Sequence, residues 1–90
     1  MVHNIPSRRF EQRLDGGMAY ASYRHDDNRI IFDHTYVPEA LRGKGLAAKV
    51  VRAALDEARR QHWKIVPLCG YVAAFIQRNP VYADLVAEAV

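Results

Sequence analysis

Residues 42–47, Arg-Gly-Lys-Gly-Leu-Ala, join a strand-like run to an amphipathic helical run through two glycines and two cations. No other part of the chain constrains the fold as much. Glycine admits the positive φ angles that a sharp strand-to-helix turn needs, and it lets a ligand approach the backbone where a Cβ would intrude. The opening turn of a helix leaves backbone N–H groups without intrahelical partners and carries a partial positive charge. A turn of this kind is a cradle for an anion, above all a phosphate. In isolation the same hexapeptide fits an ordinary loop equally well, so the flanking sequence decides.

The upstream run Arg29-Ile30-Ile31-Phe32-Asp33-His34-Thr35-Tyr36-Val37 is rich in β-branched and aromatic residues, and Pro38 closes it because proline cannot continue a sheet ladder. It predicts a strand with Ile30, Phe32, His34 and Tyr36 on one face and Ile31, Asp33, Thr35 and Val37 on the other. Downstream, Leu46, Ala47, Val50, Val51, Ala54, Leu55 and Ala58 recur at helical spacing, while Lys49, Arg52, Asp56, Arg59 and Arg60 gather on the opposite stripe. Such a helix lies on a core with its charged stripe in solvent. Strand, glycine turn and half-buried helix, in that order, are what phosphate binding at a helix start requires.

The rest of the chain reads as a frame around this unit. Met1 to Arg9 lacks periodicity and contains Pro6, which predicts a loose leader over residues 1–9 and a single domain over 10–90. Phe10 to Leu14 and Met18 to Arg24 predict two strands joined through Asp15-Gly16-Gly17, and His25-Asp26-Asp27-Asn28 predicts a polar reversal into the strand that ends at Pro38. Beyond the long helix, Lys64 to Leu68 predicts a short apolar strand beside the glycine-turn strand. Val72 to Arg78 predicts a short helix with Ala73, Ile76 and either Val72 or Phe75 inward, stopped by Asn79-Pro80. Tyr82 to Val90 predicts a further helical turn or two.

Arg-x-x-Gly-x-Ala at Arg42, Gly45 and Ala47 resembles the acyl-coenzyme A (acyl-CoA) pyrophosphate motif of the GCN5-related N-acetyltransferase superfamily. The resemblance extends to His34-Thr35, Val37-Pro38, Leu41-Arg42-Gly43, Ala54-Leu55, Val66-Pro67-Leu68-Cys69, Ala74-Phe75-Ile76 and the Pro80-to-Val86 tail, which together are similar to a subfamily of very small, single-domain members. It implies an α/β (α+β) fold, with a central, mostly antiparallel sheet, a long helix after the glycine turn and a short C-terminal helix. It also implies acetyl-CoA or a related acyl-CoA as co-substrate, an amine as acceptor, and no metal. Val37, Arg42, Gly43, Lys44, Gly45, Leu46 and Ala47 would hold the CoA, the pyrophosphate largely through main-chain N–H groups, with Lys44 or Lys49 reaching the 3′-phosphate. The strands Arg29 to Val37 and Lys64 to Leu68 would splay to admit the pantetheine arm, so that binding energy at the phosphates positions the thioester.

Three residues are candidates for chemistry, each with a plainer alternative. Cys69 directly follows the second splay strand, where a thiolate would accept the acyl group or the side chain would simply pack as a small hydrophobe. His34 lies in the strand entering the turn, either as a base for the incoming ammonium or for Cys69, or as a structural histidine hydrogen-bonded within the sheet. Tyr71, and with it Tyr82, would protonate the departing CoA thiolate or serve as packing. Tyr36 stands where relatives commonly carry Glu, so no carboxylate base is expected there. Gly70 and Val81 likewise depart from the pattern.

Ninety residues with one cysteine fit one core, no internal disulfide and a reducing compartment, and no apolar run approaches the roughly 18 residues of a membrane span. A cytoplasmic monomer or weak dimer, with no membrane partner, is the expectation. Arginine supplies ten of the thirteen basic residues, and the formal charge is +3. These cations are dispersed rather than clustered in a basic run, which weighs against nucleic acid as the partner and suits a polyanionic small molecule. Two readings stand beside acetyl transfer: a CoA-binding sensor or interaction module without catalysis, and an interaction domain whose glycine turn is incidental.

Overall fold

The computed structural model describes residues 1–87. Five strands form one sheet in the order β1-β2-β3-β4-β5: β1 (Val2–Asn4), β2 (Arg9–Leu14), β3 (Gly17–Asp26), β4 (Arg29–Tyr36) and β5 (Lys64–Pro67). The first four pair antiparallel, and β5 pairs parallel to β4 after the chain crosses over through helix α1 (Leu46–Gln61). A 3-10 helix (Glu39–Leu41) precedes the glycine turn, and helix α2 (Gly70–Arg78) and a second 3-10 helix (Pro80–Leu85) close the described chain. This is the mixed fold with a mostly antiparallel sheet that the sequence predicts. Residues 88–90 of the expected final helical turns lie outside the described residues.

The hairpins follow from local chemistry. Leu14 pairs with Gly17 across Asp15-Gly16, and Asp26 pairs with Arg29 across Asp27-Asn28, with positive φ at Gly16 (98°) and Asp27 (57°), as tight hairpins demand. Gly17 is needed for a second reason: a Cβ there would lie 2.9 Å from Cγ of Pro38, so glycine lets the segment leaving β4 cross the hairpin.

Helix α1 turns Leu46, Val50, Val51, Ala54, Leu55 and Ala58 onto the sheet, where they meet Phe10, Ala19, Ala21, Tyr23, Ile30, Phe32 and Ile65. The small Ala19 and Ala21 let the helix approach closely, and larger side chains fill the flanks. At its C-terminus His62 adopts φ 60° and the Trp63 N–H donates to the Ala58 carbonyl at 2.9 Å, a Schellman-type ending. On α2 the buried set is Val72, Phe75 and Ile76, with Ala73 only half-buried rather than inward as predicted. Arg52 and Arg59 on the exposed stripe of α1 lie over the rings of Phe75 and Tyr82, and Tyr82 donates to Asp56 at 2.7 Å.

Two expectations are corrected. Residues 1–9 were expected to form a loose leader, yet Val2–Asn4 form an edge strand. His3 stacks on Phe10 with centroids 4.1 Å apart and bonds the Tyr23 hydroxyl at 2.5 Å, which supplies tertiary contacts that periodicity cannot reveal. The second correction concerns β4. Tyr23 pairs with Phe32, but Ser22 pairs with His34, so Asp33 is an extra residue bulged out of the ladder. Ser22 Oγ donates to its carboxylate at 2.8 Å. The bulge reverses the alternation beyond it. Ile30 and Phe32 remain in the core, whereas His34 and Tyr36 join Tyr20 on the opposite face, and Thr35 moves to the helix side opposite Ala21.

Candidate functional site

The site begins where β4 ends. After Pro38 the 3-10 helix buries Leu41, and Gly43 (φ 85°) and Gly45 (φ 71°) then turn the chain into α1. A Cβ added at either glycine would meet nothing within 4 Å, so both positions face open space and are glycine for their backbone angles. The first bond anchoring α1 to its cap runs from the Lys49 N–H to the Gly45 carbonyl at 3.1 Å, and no side chain among the described residues caps the start. The Leu46, Ala47 and Ala48 amides therefore open the helix without intrahelical partners. No acidic residue occupies the first turn, so nothing local neutralises its partial positive charge.

A cleft of about 240 Å³ lies against this turn, lined by Val37, Leu41, Arg42, Gly43, Gly45, Leu46, Ala47 and Tyr71. Six of the eight cofactor-binding candidates line it; Lys44 and Lys49 do not, and both are exposed. The Arg42 Nε donates to the Val37 carbonyl at 3.2 Å, so this guanidinium braces the turn. Of the chemical candidates, Tyr71 alone lines the cleft. Leu41 is a lining residue the sequence reading missed; its place in the Leu41-Arg42-Gly43 run was the available signal.

The two strands part at the same end of the sheet. Pairing of β4 with β5 runs from Arg29 opposite Lys64 to Phe32 opposite Pro67, and the last link is the Cys69 N–H donating to the Phe32 carbonyl at 2.9 Å. Beyond it, Asp33–Tyr36 of β4 has no β5 partner among the described residues, because the chain turns into α2.

Cys69 sits at the N-cap of α2, half-buried, with its Sγ 3.4 Å from the Thr35 hydroxyl. Burial pushes the thiol up, but hydrogen bonds from the Thr35 hydroxyl and N–H and from the Val72 and Tyr71 N–H groups together outweigh it. The net effect holds Cys69 below the ordinary thiol range. Thr35 is the second residue the sequence reading missed, because unbroken alternation put it on the wrong face. His34 is not brought to Cys69. It is exposed, 6.0 Å from the Tyr20 ring, on the face away from the helices. Tyr82, offered as a second acid, is buried against Phe75 and bonded to Asp56, which is a packing role; burial first, then Asp56, pushes its phenol up.

The chain has relatives among known proteins and solved structures. The profile of the family described as GCN5-related N-acetyl-transferase matches residues 9–85. The chain is 34% identical over 82 residues to Protein NATD1 of Mus musculus, covering 88% of this chain and 74% of that one, and equally identical over 82 residues to Protein NATD1 of Homo sapiens. The solution structure of a GCN5-like protein from Staphylococcus aureus superposes with a TM-score of 0.71 at 27% identity, over 92% of this chain and 84% of the other. A ribosomal-protein-alanine N-acetyltransferase from Brucella melitensis biovar Abortus 2308, at 24% identity and a TM-score of 0.51, shares the fold over 88% of this chain and 62% of its own.

Proposed function

Since the chain belongs to the GCN5-related N-acetyltransferase family, we propose that it is a small acyltransferase that binds acetyl-CoA at the 42–47 turn and passes the acetyl group to an amine. The observation that carries this reading is the open start of α1: unpartnered amides, two glycines with free space beside them and an adjoining cleft that Tyr71 also lines. Pyrophosphate is the anion such a turn suits, because N–H groups and the helix dipole converge on it without a competing carboxylate. In this reading the unpaired edge of β4 beyond Phe32 hydrogen-bonds the pantetheine arm, and its N–H groups polarise the thioester carbonyl. Tyr71 protonates the departing CoA thiolate.

Cys69 supplies a second route. Its thiolate attacks the thioester carbonyl, expels the CoA thiolate and carries the acetyl group until an amine displaces it, the amine proton passing to solvent. The depressed thiol and the adjacent Thr35 favour this route. The experiment has two readouts. Acetyl-CoA titrated into isotopically labelled protein shifts the amides of residues 42–47, and shifts spread evenly while sparing that turn reject the CoA site. Mass spectrometry after incubation with acetyl-CoA finds an acetyl adduct that Cys69→Ala lacks; turnover of an amine by Cys69→Ala at the unsubstituted rate rejects the covalent route and leaves direct transfer.

A further inference from the structure

At the opposite end of α1 the structure holds a second cleft, of about 300 Å³, lined by His3, Ile5, Tyr23, His25, Glu57, Gln61 and Trp63. Gly45 and Glu57 are twelve positions apart on the chain, which puts the cleft about 18 Å along the helix from the glycine turn. It forms where the β1–β2 loop, the far end of β3 and the last turn of α1 converge, so it shares no residue with the acyl-CoA site.

Its chemistry differs from that of the first cleft. The walls are aromatic and aliphatic: His25 meets the Trp63 indole edge-on at 5.1 Å, and Ile5 is 66% exposed beside them. One carboxylate faces this apolar setting, that of Glu57. Arg60 donates twice to Oε1 and Gln61 donates once to Oε2 at 2.8 Å, and these bonds hold Glu57 below the ordinary carboxylate range. A carboxylate accepts about four hydrogen bonds, so one acceptor site on Oε2 remains. No lysine or arginine among the described residues lines the cleft. His3 is held below the ordinary imidazole range, chiefly by burial, which disfavours its charged form. The Arg60 side chain that pairs with Glu57 is 69% exposed and lies outside the cleft lining.

We propose that this cleft binds a small organic ammonium, its aryl or alkyl body against Trp63, Tyr23 and Ile5 and its ammonium on the free acceptor of Glu57. Aromatic faces attract cations and the carboxylate fixes the charge, whereas an anion would meet Glu57 unfavourably. The site stands on its own residues and does not depend on the acyl-transfer reading.

Phenethylammonium and 2-phenylethanol test this directly, because they match in size and differ in charge. Titrated into the unmodified protein, phenethylammonium shifts the Trp63 indole N–H and the Ile5 amide saturably, and the alcohol binds at least about tenfold more weakly. Glu57→Gln keeps the shape of the cleft and weakens the ammonium by about fivefold, with the amides of residues 42–47 unmoved. Equal binding of ammonium and alcohol overturns the proposal, as does saturation at unchanged affinity in Glu57→Gln or no response at Trp63. If Glu57→Gln fails to fold, the comparison of the two ligands on the unmodified protein decides.

Discussion

The Thr35 hydroxyl and the Cys69 thiol lie 3.4 Å apart, linking the end of β4 to the N-cap of α2 across 34 residues of chain. Their meeting depends on the Asp33 bulge, which turns Thr35 toward the helix side. A thiol at a helix start, supported by one hydroxyl and several amides, is stabilised as thiolate, so Thr35 is a positioning residue for Cys69. Alkylation of Cys69 by iodoacetamide as a function of pH should reach half its maximal rate below the pH of a free cysteine. Thr35→Val removes the hydroxyl while leaving the amides, and should move that midpoint upward.

His34 lies on the face of the sheet away from that thiol. His34→Ala should leave the alkylation profile of Cys69 unchanged and alter acetyl transfer to a soluble amine less than twofold or so. A midpoint that moved with His34 would show the imidazole to be coupled to Cys69.

Gly45 has φ 71° and open space where a side chain would project. Gly45→Ala should cost about 1 kcal/mol of stability, from the left-handed backbone alone. The added methyl stands at the start of α1, so acetyl-CoA affinity should fall by more than that, at least about tenfold. Urea denaturation and calorimetric titration of the same variant separate the two effects.

His3 gives a pH signature. Burial, partly offset by Glu57, lowers its folded value below the ordinary 6.5. The unfolded chain therefore binds the proton first as pH falls, and stability declines as pH drops through the ordinary imidazole range, levelling only once the folded imidazole also protonates. Denaturant midpoints across that window should show the decline, and His3→Gln should flatten it even though the variant loses the bond to Tyr23. A decline of the same slope in His3→Gln would assign the effect to other groups.

Much of this was legible in residue order. The glycine turn, the amphipathic face of α1, the hairpin at Asp15-Gly16-Gly17 and the apolar run from Lys64 to Leu68 each announce themselves by local chemistry, and the helix bounds follow from the first periodic apolar residue, Leu46, and the last turn before His62. Lys44 and Lys49, expected to reach the 3′-phosphate, are exposed and lie outside the cleft lining. Leu68, expected at the end of β5, lies outside the strand and is 62% exposed, because the chain there turns toward α2.

The sequence by itself determined which segments bury a face and where the backbone must turn, because periodicity, glycine and proline act within a few residues. Tertiary structure alone decided that Asp33 is bulged, that Thr35 rather than His34 meets Cys69, that Val2–Asn4 become a strand, and that His3, Glu57 and Trp63 share a cleft. The reason is register: a single extra residue in one strand reverses every side chain beyond it, and its position is fixed by the partner strand and by the packing of distant elements, neither of which a local pattern contains.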